Sequence, residues 1–253
     1  MTTQPSSRRR IKLILEYNGA RYHGWQVQPN MVTVQGAVET WLSVITNDTV
    51  RLHAAGRTDA GVHAFGQVAH FDTPSTISLP DLQRGLNRLL PEDIVVRQVL
   101  DVGLDFHSQY AAKKKTYTYI VYNHPLRSVF RSPFTWHIRQ PLDVSAMREA
   151  AQVLVGRHDF SAFRAASCTA RNPVRCLERI AVKRRAQQIF FVLRANGFLQ
   201  HMVRNIVGTL VAIGRGKMHR QSMLRILKSG QRQLAGPTAP PHGLFMIRIQ
   251  YDN

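Results

Sequence analysis

Residues 50–71 read VRLHAAGRTDAGVHAFGQVAHF, two apolar stretches joined by a polar link from Gly56 to Ala64. VRLHAA (50–55) and FGQVAHF (65–71) have strand composition and are expected to pair. In the link, Asp59 stands between Gly56 and Gly61 and two residues after Arg57. Glycine lacks a Cβ, so the backbone here can turn tightly and come close to a ligand. A link carried on two paired strands projects its side chains from a rigid base. Arg57 can hold the Asp59 carboxylate ionised by charge-assisted hydrogen bonding. An ionised, oriented carboxylate is what covalent catalysis at a carbon atom requires. The plainer reading is a hairpin turn with a solvated ion pair.

Upstream, IKLILEYN (11–18) reads as a strand and residues 19–31 as a loop marked by Gly and Pro. From Thr33, a plausible cap, Val34, Ala37, Val38, Trp41, Leu42 and Ile45 recur at helical spacing. Downstream, Ser78 caps a second helix lined by Leu82, Leu86 and Leu89 and stopped by Pro91, and DIVVRQVLDV (93–102) is a strand. The second half repeats the theme. Strands are expected at 115–123, 134–139, 176–185, 187–196 and 243–251, with helices at 143–156, ending at Gly156, and at 198–214. No repeat is visible residue by residue, yet each half suits a split β-α-β unit. The expected fold is therefore α+β, mixed α/β. It has two ferredoxin-like lobes with mainly antiparallel sheets, helices on one face and an active-site cleft between the lobes. Residues 1–7 are expected as a flexible tail, 8–110 as the lobe carrying Asp59, and 111–253 as the second lobe.

The charge balance narrows the partners. Thirty-four Lys and Arg oppose fifteen Asp and Glu among 253 residues, a formal net charge of +19. Such a field attracts polyanions, nucleic acid above all. No segment combines a long apolar face with a basic one, which disfavours a membrane surface. The run IVGTLVAIG (206–214) is far too short to span a bilayer. Two cysteines, Cys168 and Cys176, do not make a disulfide framework and fit a reducing compartment. The opening MTTQPSSRRR lacks the apolar core of a secretory signal, so a soluble cytoplasmic protein is expected.

Three further positions could carry chemistry. Alternation puts Tyr117 and Tyr119 on one strand face, directly after Lys113, Lys114 and Lys115. Aromatics beside cations suit a stacked base among phosphates, although a strand tyrosine is more often core packing. On the apolar helix 198–214, His201, Arg204 and Gly208 share the stripe left by Leu199, Met202, Val203, Ile206, Val207 and Leu210. Arg204 there either snorkels to solvent or pairs with a carboxylate, and Asp59 is a reasonable partner. No phosphate-binding glycine loop proposes a nucleotide cofactor. The cysteines and histidines lack metal-ligand spacing, so no metal site is expected. No second carboxylate is placed to partner Asp59, which disfavours two-acid glycoside hydrolysis.

Seven stretches in order then resemble one family. YNGARYHGWQVQPN (17–30), TVQGAVE (33–39), GRTDAGVHA (56–64), KKTYTYIVYN (114–123), GRHDFSAFRAA (156–166), HMVRNIVG (201–208) and GPTAPPHGLF (236–245) are similar to the motifs of TruA-type tRNA pseudouridine synthases. The resemblance runs from Ile11 to Tyr251. It implies an isomerase that converts uridine to pseudouridine at positions 38, 39 and 40 of the tRNA anticodon stem-loop. It implies a homodimer with a basic cleft and without metal or organic cofactor. The family's catalytic aspartate, the nucleophile, falls on Asp59, and the arginine that displaces the target base falls on Arg57. The tyrosine that stacks on the uracil falls on Tyr117, and the arginine that salt-bridges the aspartate falls on Arg204. Lys114, Lys115 and His201 are further expected contacts to RNA. Asn18 departs from the family's usual aspartate, and Ser108 and Gln109 replace a small residue and an arginine, all in loops that could touch RNA. Two alternatives remain: a non-catalytic RNA-binding module, though without an aromatic RNP signature, and a pseudouridine synthase acting on other RNA uridines.

Overall fold

The first sheet is set by alternation. In β1 (Arg9–Tyr17), Ile11, Leu13, Leu15 and Tyr17 are buried and their neighbours are not. That period of two marks a strand packed on one face. A computed structural model describes residues 8–252; the expected tail at 1–7 lies outside them. By internal packing the chain forms two units, residues 8–112 with 247–252, and residues 113–246. The last residues thus group with the first unit, whereas the sequence reading assigned all of 111–253 to the second lobe.

In the first unit, β1 is followed by α1 (Val34–Thr46), β2 (His53–Ala54), β3 (His63–Thr73), α2 (Leu79–Leu89) and β4 (Ile94–Val102). The strands lie in the order β4–β1–β3, with β2 on β3 and every pair antiparallel. This is the ferredoxin-like arrangement. Both helices start on side-chain caps. The Thr33 hydroxyl accepts from the Gly36 N–H, and the Ser78 hydroxyl accepts from the Asp81 N–H. Each such cap contributes about 1 kcal/mol. Asn87 fastens α2 to β4, donating to the Val96 carbonyl and accepting from its N–H at 3.0 and 2.8 Å.

VRLHAA is not the full strand expected. Only His53 and Ala54 pair, opposite His70 and Ala69. The reason lies in α1. The Glu39 carboxylate takes the Leu52 N–H at 2.7 Å, and the Ser43 hydroxyl takes the Val50 N–H at 3.1 Å. Backbone groups already satisfied by a helix have nothing left to offer a ladder.

The second unit repeats the order. It contains β5 (Lys114–Asn123), β6 (Trp136–Ile138), α3 (Val144–Gln152), β7 (Gly156–Asp159), β8 (Val174–Arg185), β9 (Gln188–Ala195), α4 (Met202–Gly214), α5 (Ser222–Ser229) and the start of β10 (Leu244–Gln250). Its sheet runs β10–β5–β9–β8–β7, with β6 parallel beside β5. Taking β5, β8, β9 and β10 as strands one to four gives the same ferredoxin-like order, with β7 added at the edge. The duplication that no residue pattern reveals is thus present in topology.

Two helix boundaries differ from expectation. α3 stops at Gln152 rather than Gly156: the Leu154 and Val155 N–H groups bond only three residues back, to Ala151 and Gln152. Gly156, at φ +111°, instead opens β7. α4 begins at Met202, because His201 is left-handed at φ 62° and ends the preceding turn. Among the described residues no helix is long and apolar enough to cross a membrane.

Candidate active site

Asp59 sits on a turn fixed from several sides. Its carbonyl accepts from the Val62 N–H at 3.1 Å, closing a four-residue turn. Gly61 occupies the third position at φ +76°, the value a type II turn demands there. The loop after β1 supports the turn from below. Trp25 N–H donates to the Thr58 carbonyl at 3.1 Å, and Gly61 N–H donates to the Tyr22 carbonyl at 3.3 Å. Gly24, at φ +89°, lies so near that an added Cβ would stand 2.6 Å from the Thr58 oxygen and 3.1 Å from the Asp59 carbonyl carbon.

Side chains complete the scaffold. Buried Thr58 bonds the Tyr17 hydroxyl at 2.8 Å, and Gln67 of β3 donates to the Gly56 carbonyl at 2.7 Å. His63 accepts the Gly19 N–H at 3.1 Å. Burial pushes the Tyr17 hydroxyl up to about 12, so it stays a neutral hydrogen-bonding group. The result is a chain path with little freedom that leaves Asp59 half-buried and Arg57 exposed. Both expected residues of this motif lie on the first unit, Asp59 opening the turn and Arg57 just before it.

The second unit carries the rest. On β5, Lys115, Tyr117 and Tyr119 lie on one face, Tyr117 paired across to Leu193 and Lys115 to Ala195. The Tyr117 ring is buried and meets Phe198 edge-on, centroids 5.1 Å apart. Tyr119 is committed differently. Its hydroxyl donates to the Pro240 carbonyl at 2.8 Å, and burial raises its pKa far above the ordinary tyrosine value. Lys114 lies on the opposite face and pairs with Glu178 at 3.1 Å, as Arg194 does at 2.9 Å.

Arg204 stands in the first turn of α4, its Nε donating to the Ala239 carbonyl at 2.8 Å while its own carbonyl accepts from the Ala239 N–H at 3.1 Å. The next residue anchors this join. Fully buried Asn205 donates to the Phe163 carbonyl at 2.7 Å and accepts from Arg232 at 3.0 Å and Thr238 at 2.6 Å. The stripe expected for His201, Arg204 and Gly208 does not form as a polar face. His201 precedes the helix, and an added Cβ on Gly208 would lie 1.6 Å from the Pro237 oxygen, so that side is packed against the chain 237–239.

Of the departures from the family pattern, Ser108 does not lie where RNA could touch it. It is fully buried, its hydroxyl donating to the His53 carbonyl and its N–H donating to His70 Nδ1 at 3.2 Å. Asn18 caps a short turn, accepting from the Ala20 N–H at 3.1 Å, while Gln109 is exposed. Sequence reading missed Asn205 and Gln67, whose only signal was a polar side chain in an apolar run. Among the described residues no group of three or more His, Cys, Asp and Glu side chains could hold a metal ion.

The family model described as tRNA pseudouridine synthase matches residues 13–111 and 150–252. The chain belongs to this family. The relative named tRNA pseudouridine synthase A from Geotalea uraniireducens is 44% identical over 96% of this chain and all of its own length. Proteins of the same name from Coxiella burnetii and Myxococcus xanthus are each 46% identical over 96% of this chain, and over 93% and 92% of their own. A crystal structure of a Cbf5-Nop10-Gar1 complex aligns with 93% of this chain and 57% of its own, at 11% identity and a TM-score of 0.35. That likeness is too slight to add to the strand order. As a member of the tRNA pseudouridine synthase family the protein is an isomerase of uridine in tRNA.

Proposed function

We propose that this protein converts uridine to pseudouridine at positions 38, 39 and 40 of the tRNA anticodon stem-loop, with Asp59 as its nucleophile. One observation carries the reading: in a chain of net charge +19, a single turn, bonded from β3 and from the loop after β1, is devoted to holding an aspartate. A turn needed only to reverse the chain would not require that support.

The reaction breaks the N1–C1′ bond, rotates the uracil and joins C5 to C1′; a proton leaves C5 and N1 takes one up, so the product is an isomer of the substrate. Electrons balance without an oxidant. The target base is stacked in RNA, so it must first be flipped out, at a cost of a few kcal/mol. Arg57, exposed beside the turn, fills the vacated space; Tyr117 stacks on the flipped uracil; Asp59 attacks, and the bond it forms to the nucleotide is broken again before product leaves, which restores the free carboxylate. Arg204 is the counter-ion that the family pattern assigns to Asp59, which keeps the carboxylate ionised where an unpaired charge would be costly. The join to Ala239 and the Asn205 network support a fixed guanidinium. The same pattern supplies the proposals of a homodimer, which sedimentation would report as twice the chain mass, and of a cytoplasmic setting.

The test is to incubate unmodified tRNA transcripts with the protein and map pseudouridine by carbodiimide-dependent primer-extension stops. Stops at 38, 39 and 40 are expected. Stops at other uridines would move the enzyme to another target, and tight binding without any stop would leave an RNA-binding module.

A further inference from the structure

The sheet face that holds Tyr117 also gathers two cations that the catalytic scheme does not use. Lys115 precedes Tyr117 by two residues on β5 and pairs across with Ala195 of β9, which pairs in turn with Leu177 of β8. Directly paired residues share a face, as do residues two apart on a strand. Arg175, two before Leu177, therefore lies on the Lys115 side, diagonally across β9 from it, and the side chain directly opposite Lys115 is the small Ala195. Both Arg175 bonds, to the Asn172 and Val174 carbonyls at 2.8 Å, use Nη1. That leaves Nε and Nη2 of a planar five-donor fork without a protein acceptor among the described residues. Gly197 leaves room there, an added Cβ standing 3.5 Å from Arg175 Nε. The next residue, Phe198, is the one whose ring meets Tyr117.

Two half-buried cations side by side repel each other. Burial first, and then the Arg175 charge, push the Lys115 ammonium down to about 8, and burial pushes the Arg175 guanidinium down as well. An anion set between them reverses that repulsion. An arginine fork suits the oxygens of a phosphate, and lysine adds a point charge. We propose that Lys115 and Arg175 together hold one backbone phosphate of the RNA, adjacent to the nucleotide stacked on Tyr117. The site deepens the function proposed above and rests on the placement of the uracil at Tyr117. It also tells two neighbouring lysines apart by face: Lys114 pairs with Glu178 on the other side of the sheet, and Lys115 lies on the side of Tyr117.

Equilibrium binding of an anticodon stem-loop over a range of KCl concentrations tests this without relying on turnover. Lys115→Gln and Arg175→Gln are each expected to lower the slope of log affinity against log salt by up to about 0.7–0.9, one phosphate's worth. The double variant should lower it no further, because both side chains share one phosphate. Lys115→Arg should keep the wild-type slope, which separates lost charge from lost fold. The wild-type protein should also bind about fivefold more weakly to a stem-loop bearing an uncharged methylphosphonate beside the target uridine, a penalty that the double variant no longer pays. Slopes parallel to wild type, additive losses in the double variant, or a methylphosphonate penalty undiminished by the double substitution would each overturn the shared site. If pseudouridine forms but these slopes do not change, only this site falls. If the wild-type protein does not bind the stem-loop, the function falls with it.

Discussion

Both units use one four-strand order, and they part where strand two turns into strand three. In the second unit that link is Ala186 and Gln187, between a 12-residue β8 and an 8-residue β9 that pair along most of their length. In the first unit the link takes up residues 55–62, and the strand before it shrinks to two residues. The tight hairpin maximises ladder bonds. The long link gives them up, and their stabilising role passes to hydrogen bonds from Glu39, Ser43, Gln67 and the loop at Tyr22–Trp25. Identical architecture thus serves a structural corner in one unit and the presentation of Asp59 in the other.

The largest effect short of removing Asp59 is expected at Arg204. Arg204→Leu should slow single-turnover pseudouridine formation at least about a hundredfold while tRNA affinity changes little. Equal losses in rate and affinity would make it a binding residue instead.

Next comes the shortened strand. His70 stacks on His53 of β2, centroids 5.2 Å apart, and lies 4.7 Å from His107. Burial first, then the charges of His107, Arg10 and His53, push its pKa from 6.5 down to about 4. Its folded-state pKa is depressed, so the unfolded chain takes up the proton first. Stability should therefore be full above pH 6.5 and fall as pH drops from there towards 4, by up to about 3 kcal/mol. Denaturant unfolding across this range would show it, and His70→Gln should flatten that part of the slope.

Gly24→Ala places a Cβ against the supported turn at a positive φ, and should cost about 1–3 kcal/mol together with activity. The matching change in the other unit is mild. Ala186 holds φ 51°, so Ala186→Gly should stabilise by at most about 1 kcal/mol and leave turnover unchanged, as thermal melts and a rate assay would show. A loss of activity there would break the contrast between the two corners.

Much of both sheets and most helix starts are legible in the sequence because they depend on neighbours. Thr33 and Ser78 declare their helices through bonds three residues long, and the β5 tyrosines declare their face by alternation. Gly61 and Asp59 could be singled out because a positive φ and a scarce charge are properties of single residues. What stayed hidden depends on distant partners. β2 is short because Glu39, thirteen residues earlier, claims the Leu52 N–H. Ser108 is buried because His70, 38 residues away, receives it. His201 leaves the helical stripe through a left-handed backbone that no side chain announces. α5 was not expected at all, its Met223, Ile226 and Leu227 forming too short an apolar stripe to stand out.

The most direct test of Asp59 as the reaction centre uses tRNA carrying tritium at C5 of uridine. Joining C5 to the ribose expels that hydrogen, so release into water counts turnovers. Wild type should release tritium; Asp59→Asn should release at least about a thousandfold less while still binding tRNA. Comparable release by both proteins would contradict the account and return the turn to a structural role.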